Sequence, residues 1–170
     1  MKTNLAVLTL GLATGSAQAA GLSVSVEIPR LSVAEYHRPY VAMWIEDSGR
    51  RAASNLNVWY DVEMRNDEGE KWLADLRGWW RKAGRSMDMP IDGVSGPTKA
   101  PGVHQVDFRS GAKPLGTLKP GSYTLKVEAA REVGGREMLS IPFQWPPKDS
   151  ETKSAKGKSE LGTVRLNLKN

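Results

Sequence analysis

Apolar and polar residues alternate with a period of two along much of this chain. Leu22, Val24, Val26 and Ile28 interleave with Ser23, Ser25 and Glu27, and Leu56, Val58, Tyr60, Val62 and Met64 interleave with Asn57, Trp59, Asp61 and Glu63. Tyr123, Leu125, Val127 and Ala129, then Leu139, Ile141, Phe143 and Trp145, repeat the pattern, as do Val164, Leu166 and Leu168. One apolar face per segment predicts half-buried antiparallel strands. Residues 40–46 are almost continuously apolar, as in a central strand buried on both faces, and 104–108 read as a short strand. That makes about seven strands. Gly134-Gly135 links two of the best-patterned segments, so 121–145 is predicted to be a hairpin. Many short strands punctuated by turns predict an all-β fold, an immunoglobulin-like antiparallel β-sandwich.

One segment has a different period. In residues 70–82, Trp72, Leu76 and Trp79 recur at helical spacing, with Leu73 and Trp80 alongside. This predicts a short Trp-rich helix laid on the sandwich, with Trp72 and Trp79 packing it down and Trp80 on another face. Gly78 weakens it by about 1 kcal/mol relative to Ala. Trp44 reads as core, whereas Trp59 is out of phase with its neighbours, so it is expected under the helix or exposed at a partner surface. Residues 84–102 hold three prolines and four glycines and read as a long loop, a feature usually functional or disordered. Residues 146–160, rich in Lys, Ser and Gly, read as a solvated, mobile excursion.

The first residues change the picture of where the chain works. Lys2, the apolar run 5–12 and the small-residue pair Ala17 and Ala19 have the layout of a cleaved secretory signal over residues 1–19. The run is too short to span a bilayer. The expectation is one exported domain over residues 20–170, located in a periplasm and not inserted in the membrane. Removing residues 1–19 takes away Lys2 alone and leaves 23 basic residues against 19 acidic ones. These charges are interspersed, without the basic, aromatic-studded face of a nucleic-acid binder, so no nucleic-acid partner is expected. The chain contains no cysteine, which rules out disulfides, thiol redox chemistry, cysteine-attached haem and cysteine-ligated clusters.

The candidate chemistry lies in the loop of residues 92–102. Gly93 and Gly96 permit close backbone approach, Pro97 and Pro101 stiffen their surroundings, and Thr98 is presented between Pro97 and Lys99. Asp92 can accept loop amides and Lys99 can pair with a phosphate. Read by composition alone, the same residues make an ordinary turn. His37 and His104 are the only histidines and have no sequence-local support for metal or haem binding. The acidic run Asp61, Glu63, Asp67, Glu68 and Glu70 lacks calcium-loop spacing, and neither a Gly-x-Ser-x-Gly elbow nor a His-Glu-x-x-His is present.

The spacing Asp92-x-x-Ser95-Gly96-x-Thr98 resembles the acceptor motif of extracytoplasmic flavin transferases, which join FMN to a Thr or Ser hydroxyl; Pro97 stands where Ala is usual. Residues 38–47, 73–80, 92–102, 120–123 and 128–132 together resemble a periplasmic family, the domain of unknown function 2271. The two resemblances imply a flavin-linked electron carrier rather than an independent catalyst. FMN would be covalently held on Thr98, with Asp92, Ser95, Gly96 and Lys99 as its surroundings and Trp80 as the aromatic shelf. Arg77 or Arg81 would favour the reduced ring. The implied partners are a flavin transferase and a PepSY-type membrane protein. The alternative is a cofactor-free binding module that docks on an envelope partner through its sheet edges or the Trp79-Trp80 surface.

Overall fold

A computed structural model describes residues 20–170, so the signal-peptide expectation lies outside the described residues. The alternating segments pair into two sheets. One contains β1 (Gly21–Ile28), β5 (Gly102–Arg109), β8 (Glu151–Lys156) and β9 (Thr163–Lys169) in the order β5-β1-β9-β8. The other contains β2 (Tyr40–Asp47), β3 (Ala52–Tyr60), β4 (Ser95–Pro97), β6 (Gly121–Ala130) and β7 (Arg136–Trp145) in the order β4-β3-β2-β6-β7. All pairings are antiparallel except β3 with β4. The predicted β-sandwich is therefore the observed architecture.

The inner faces meet as alternation requires. Leu22, Val24, Val26 and Ile28 from β1 and Val164, Leu166 and Leu168 from β9 face Val41, Met43, Ile45, Leu125 and Val127 across one apolar core. The hairpin of β6 and β7 forms as expected, in register from Gly121↔Trp145 to Ala130↔Arg136.

The continuously apolar β2 is explained by a second core. Tyr40, Ala42 and Trp44 point to the other side of their sheet, where they meet Val58, Tyr60, Leu73, Leu76, Trp79 and Val94. The covering layer is the crossover that the parallel β3–β4 pair demands. It comprises a 3-10 segment, Arg65–Asp75, the short helix α1, Arg77–Lys82, and a 3-10 turn, Gly84–Ser86. Asn66 and Asp67 interrupt the first segment with left-handed backbone, φ 56° and 55°.

The cover is fastened by a buried carboxylate. Glu128 of β6 accepts the amides of Gly78 (3.0 Å) and Trp79 (2.9 Å) and the guanidinium of Arg136 (2.7 Å). Two otherwise orphaned donors at the start of α1 are thereby satisfied. This accounts for Gly78: a Cβ there would lie 2.9 Å from Glu128 Oε2.

Several expectations are corrected. The buried series in the cover is Leu73, Leu76 and Trp79, spaced by three as in a 3-10 turn, not Trp72, Leu76 and Trp79. Trp72 is consequently 50% exposed rather than packed. A bulge in β3, where Met43 pairs with Asn57 and Trp44 with Asn55, inverts the phase of that strand. Leu56 and Trp59 then face the inter-sheet core while Val58 and Tyr60 face the cover, so Trp59 is buried between the sheets, neither under the helix nor at a surface. The strand ends at Tyr60, short of the predicted Met64. The excursion of 146–160 contains β8, an edge strand paired to β9 from Glu151↔Leu168 to Lys156↔Thr163. The loop 84–102 contains β4.

Candidate functional site

Thr98 follows β4 directly, and the local chain explains how that strand is held. The Ile91 amide donates to the Ser95 hydroxyl (2.9 Å), the Ser95 amide donates to the Ile91 carbonyl (2.8 Å), and Gly93 takes φ 72° to close the turn. Val94 is buried in the second core and its carbonyl accepts the Val58 amide at 2.8 Å. Ser95, Gly96 and Pro97 then pair with Val58, Trp59 and Tyr60. The motif is thus a braced turn and strand, with Asp92 at one end and Thr98 at the other.

Thr98 Oγ1 donates to Asp61 Oδ1 at 3.2 Å. It lines a cleft of about 370 Å³ built from five stretches of chain: Tyr36, His37, Arg38 and Tyr40; Asp61 and Met64; Trp72 and Asp75; Thr98; and Ala130, Arg131 and Glu132. Lys99 lies apart from this cleft, with Nζ 5.6 Å from the centroid of the Trp59 ring. Asp92 borders a separate depression with Ser54, Asn55 and residues 113–118. Trp80 is half-buried beside Trp79, ring centroids 6.2 Å apart, and is not part of the cleft. The exposed aromatic residue near Thr98 is Trp72.

At the hairpin side of the cleft, Arg131 is clamped by Glu160 through Nε to Oε2 (2.8 Å) and Nη2 to Oε1 (3.2 Å). Their side chains are only 6% and 4% exposed. The hydrogen bonds to Glu160 raise the pKa of Arg131, so this guanidinium stays charged. Three buried side-chain polar atoms lack a partner among the described residues, and two of them, Arg131 Nη1 and Tyr36 Oη, belong to cleft residues. Burial pushes the Tyr36 hydroxyl above its ordinary pKa, with Arg131 and Arg38 acting the other way. Burial also raises Tyr40, to about 12, and its hydroxyl donates to the Gly69 carbonyl at 3.1 Å. Both phenols remain donors at neutral pH. His37 contacts Glu35 at 2.9 Å and Glu132 at 3.5 Å.

The sequence singled out Thr98, which lines the cleft, but not the residues that surround it there. Tyr36, Asp61, Trp72 and Arg131 converge because the start of β2 lies between the ends of β3 and β6, with Val41 paired to Trp59 and Tyr40 to Ala130. The signals available were the cluster Glu35, Tyr36, His37, Arg38 and Tyr40 ahead of one strand, and Arg131 and Glu132 within the 128–132 segment singled out by the family resemblance.

A family model described as "Predicted periplasmic protein (DUF2271)" matches residues 21–163. This chain belongs to that family. The matched span of the DUF2271 chain runs from β1 to the first residue of β9 and includes every residue of the cleft. No curated protein and no solved structure matches it. Among the described residues no helix is long and apolar enough to cross a membrane.

Proposed function

We propose that this protein is a periplasmic, flavin-linked electron carrier that bears FMN as a phosphoester on Thr98. In this reading a flavin transferase modifies it and a PepSY-type membrane protein exchanges electrons with it. The observation that carries the proposal is the position of Thr98 on a cleft that also holds an exposed tryptophan, Trp72, and the side chains of Tyr36, Arg38 and Arg131. The volume lies within the range of about 300–1,000 Å³ usual for cofactor sites. The donor set and aromatic surface fit a flat, amphipathic ring bearing carbonyls. When bound, the flavin supplies redox chemistry that a chain without cysteine lacks.

The residues of the chain do the positioning. Asp61 holds the hydrogen of the Thr98 hydroxyl, which orients its oxygen. Arg38 lines the same cleft as Thr98 and offsets the charge of Asp61 where a phosphoester would sit. The pairing of Ser95, Gly96 and Pro97 with β3 fixes the tether to the sandwich. Lys99, engaged with Trp59, contributes to that brace rather than to the cleft.

The test is intact mass spectrometry on the mature chain co-expressed with a flavin transferase. An adduct of one FMN less one water, mapping to the Thr98 peptide and absent from Thr98→Ala, is the expected result. An unmodified chain under conditions that fully modify a known acceptor overturns the reading. The second reading, a cofactor-free docking module, is favoured by the exposure of Trp72 and Met64 on the same cleft, which would then receive a partner side chain.

A further inference from the structure

We propose that β5 is a self-association edge, through which two copies of this chain pair antiparallel about a two-fold axis at Val106 and join their sheets into one. The inference does not depend on the flavin reading. Each sheet ends in two edge strands, and three of the four edges are protected. β4 has only three residues, and β8 bears Lys153 and Lys156. β7 contains Pro142, and its Glu137 is clasped by the amides of Lys158, Ser159 and Leu161. β5 has eight residues, no lysine, no proline and no bulge, and pairs with β1 in unbroken register. An edge of that kind is a template for a further strand.

The ladder shows what this edge offers. The Ser110 amide donates to the Ala20 carbonyl at 3.0 Å, extending the β1–β5 pairing, so the even-numbered residues of β5 turn their amides and carbonyls to β1. Val103, Gln105, Asp107 and Arg109 turn theirs outward. Of these groups, the Arg109 carbonyl is engaged by the Ala112 amide at 3.2 Å, and the others have no partner among the described residues. The same four residues form the outer row of side chains, since Phe108 faces the inter-sheet core, and Val103 is 61% exposed.

The occupant follows from how this row meets its own reverse. With Val106 on the axis, Gln105 lies opposite the partner's Asp107, and Val103 opposite the partner's Arg109. An amide donor then faces a carboxylate, and the aliphatic stem of an arginine covers an exposed valine. Within one chain Gln105 reaches Asp107 only at 3.3 Å to each oxygen, long for a charge-assisted bond. An axis at Gln105 would set the Asp107 carboxylate against Val103, and an axis at Asp107 would set two carboxylates together. The Val106 register forms about six backbone hydrogen bonds. It puts the two Gly102 residues at opposite ends of the pair, roughly 25–30 Å apart, so the segments bearing Thr98 do not meet.

Sedimentation equilibrium of the mature chain, from about 1 to about 300 µM, is the test. The contact is small, and a reversible dimer with a Kd on the order of 10–100 µM is expected. Gln105→Pro removes an outward amide without cutting a bond to β1, and should weaken association about tenfold or more. Gln105→Asp sets carboxylates opposite each other and should weaken it about fivefold, whereas Gln105→Lys should tighten it about fivefold. Tightening cannot arise from misfolding, and circular dichroism establishes that the two weakened variants are folded. A chain that stays monomeric throughout overturns the proposal, the edge then being open to a strand of another protein. A dimer indifferent to Gln105→Pro overturns it too, as does one that Gln105→Lys loosens, which would put the axis at another residue.

Discussion

The two faces of the five-stranded sheet are covered by different means. Its inner face meets another sheet, and β2, β6 and β7 contribute alternating apolar residues to the contact, among them Val41, Met43, Ile45, Leu125, Val127, Ile141 and Phe143. Its outer face meets a crossover of 3-10 turns and a six-residue helix, too short to be stable by itself. Three buried side chains, Leu73, Leu76 and Trp79, and one buried carboxylate, Glu128, hold that cover in place. The inner core is redundant and the outer one is not. Yet the outer cover supplies Trp72 and Asp75 to the cleft, so the candidate site depends on the thinner of the two layers.

Two truncations test this contrast. Trp79→Ala removes a fully buried ring and the indole donor to Asn55 (3.0 Å), and should cost about 3–5 kcal/mol. Leu166→Ala, in the inner core, should cost about 2–5 kcal/mol. The distinction lies in what opens. Hydrogen exchange should show Trp79→Ala releasing residues 73–82 while β1 and β9 stay protected, and Leu166→Ala lowering protection throughout. Uniform loss in both variants would mean that the two cores are one cooperative unit.

The carboxylate fastener sharpens the contrast further. Glu128→Gln replaces one acceptor oxygen with a donor facing an amide and removes the charge opposite Arg136, at a cost of about 1.5–3 kcal/mol. Gly78→Ala approaches the same contact from the other side. Helix propensity alone favours Ala by about 1 kcal/mol. A Cβ 2.9 Å from Glu128 Oε2 and 3.2 Å from Met138 Sδ predicts the opposite sign. A rise in the denaturation midpoint of Gly78→Ala would show that the fastener yields and that propensity decides.

The same contrast governs what the sequence made legible. Wherever a strand has one apolar face and no irregularity, as in residues 22–28 and 163–168, alternation located it. It failed at β3 because a bulge at Leu56 inverts the phase, and a bulge leaves no mark in hydrophobicity. It failed at β8 because Glu151–Lys156 carries no apolar face; a lysine-bearing edge strand is held by backbone pairing and protected from further pairing by its charges. In the cover, a helical period of 3.6 selected Trp72 where a period of three buries Leu73. Thr98 was legible because its loop has local chemistry. Tyr36 and Arg131 were not, since nothing local ties residues so far apart to one cleft.

The smallest predicted effect concerns how Arg131 is kept in place. The β6–β7 hairpin and the β8–β9 loop clasp each other reciprocally: Glu160 accepts Arg131 and the Gly135 amide, while Glu137 accepts the amides of Lys158, Ser159 and Leu161. Burial works to raise the pKa of Glu137, but the three amides prevail and hold it below the ordinary value of 4.5. The unfolded chain therefore takes up this proton first as pH falls. The contribution of Glu137 is fully present above its unfolded pKa and is lost as pH drops through the lower, folded one. Stability measured from about pH 6 to about pH 3 should fall less steeply in Glu137→Gln than in the unaltered chain. Equal slopes would show that the carboxylate charge does not hold the clasp. A flatter slope would mean that the ionised carboxylate of Glu137 contributes to stability through the amides of the loop that bears Glu160, the partner of Arg131.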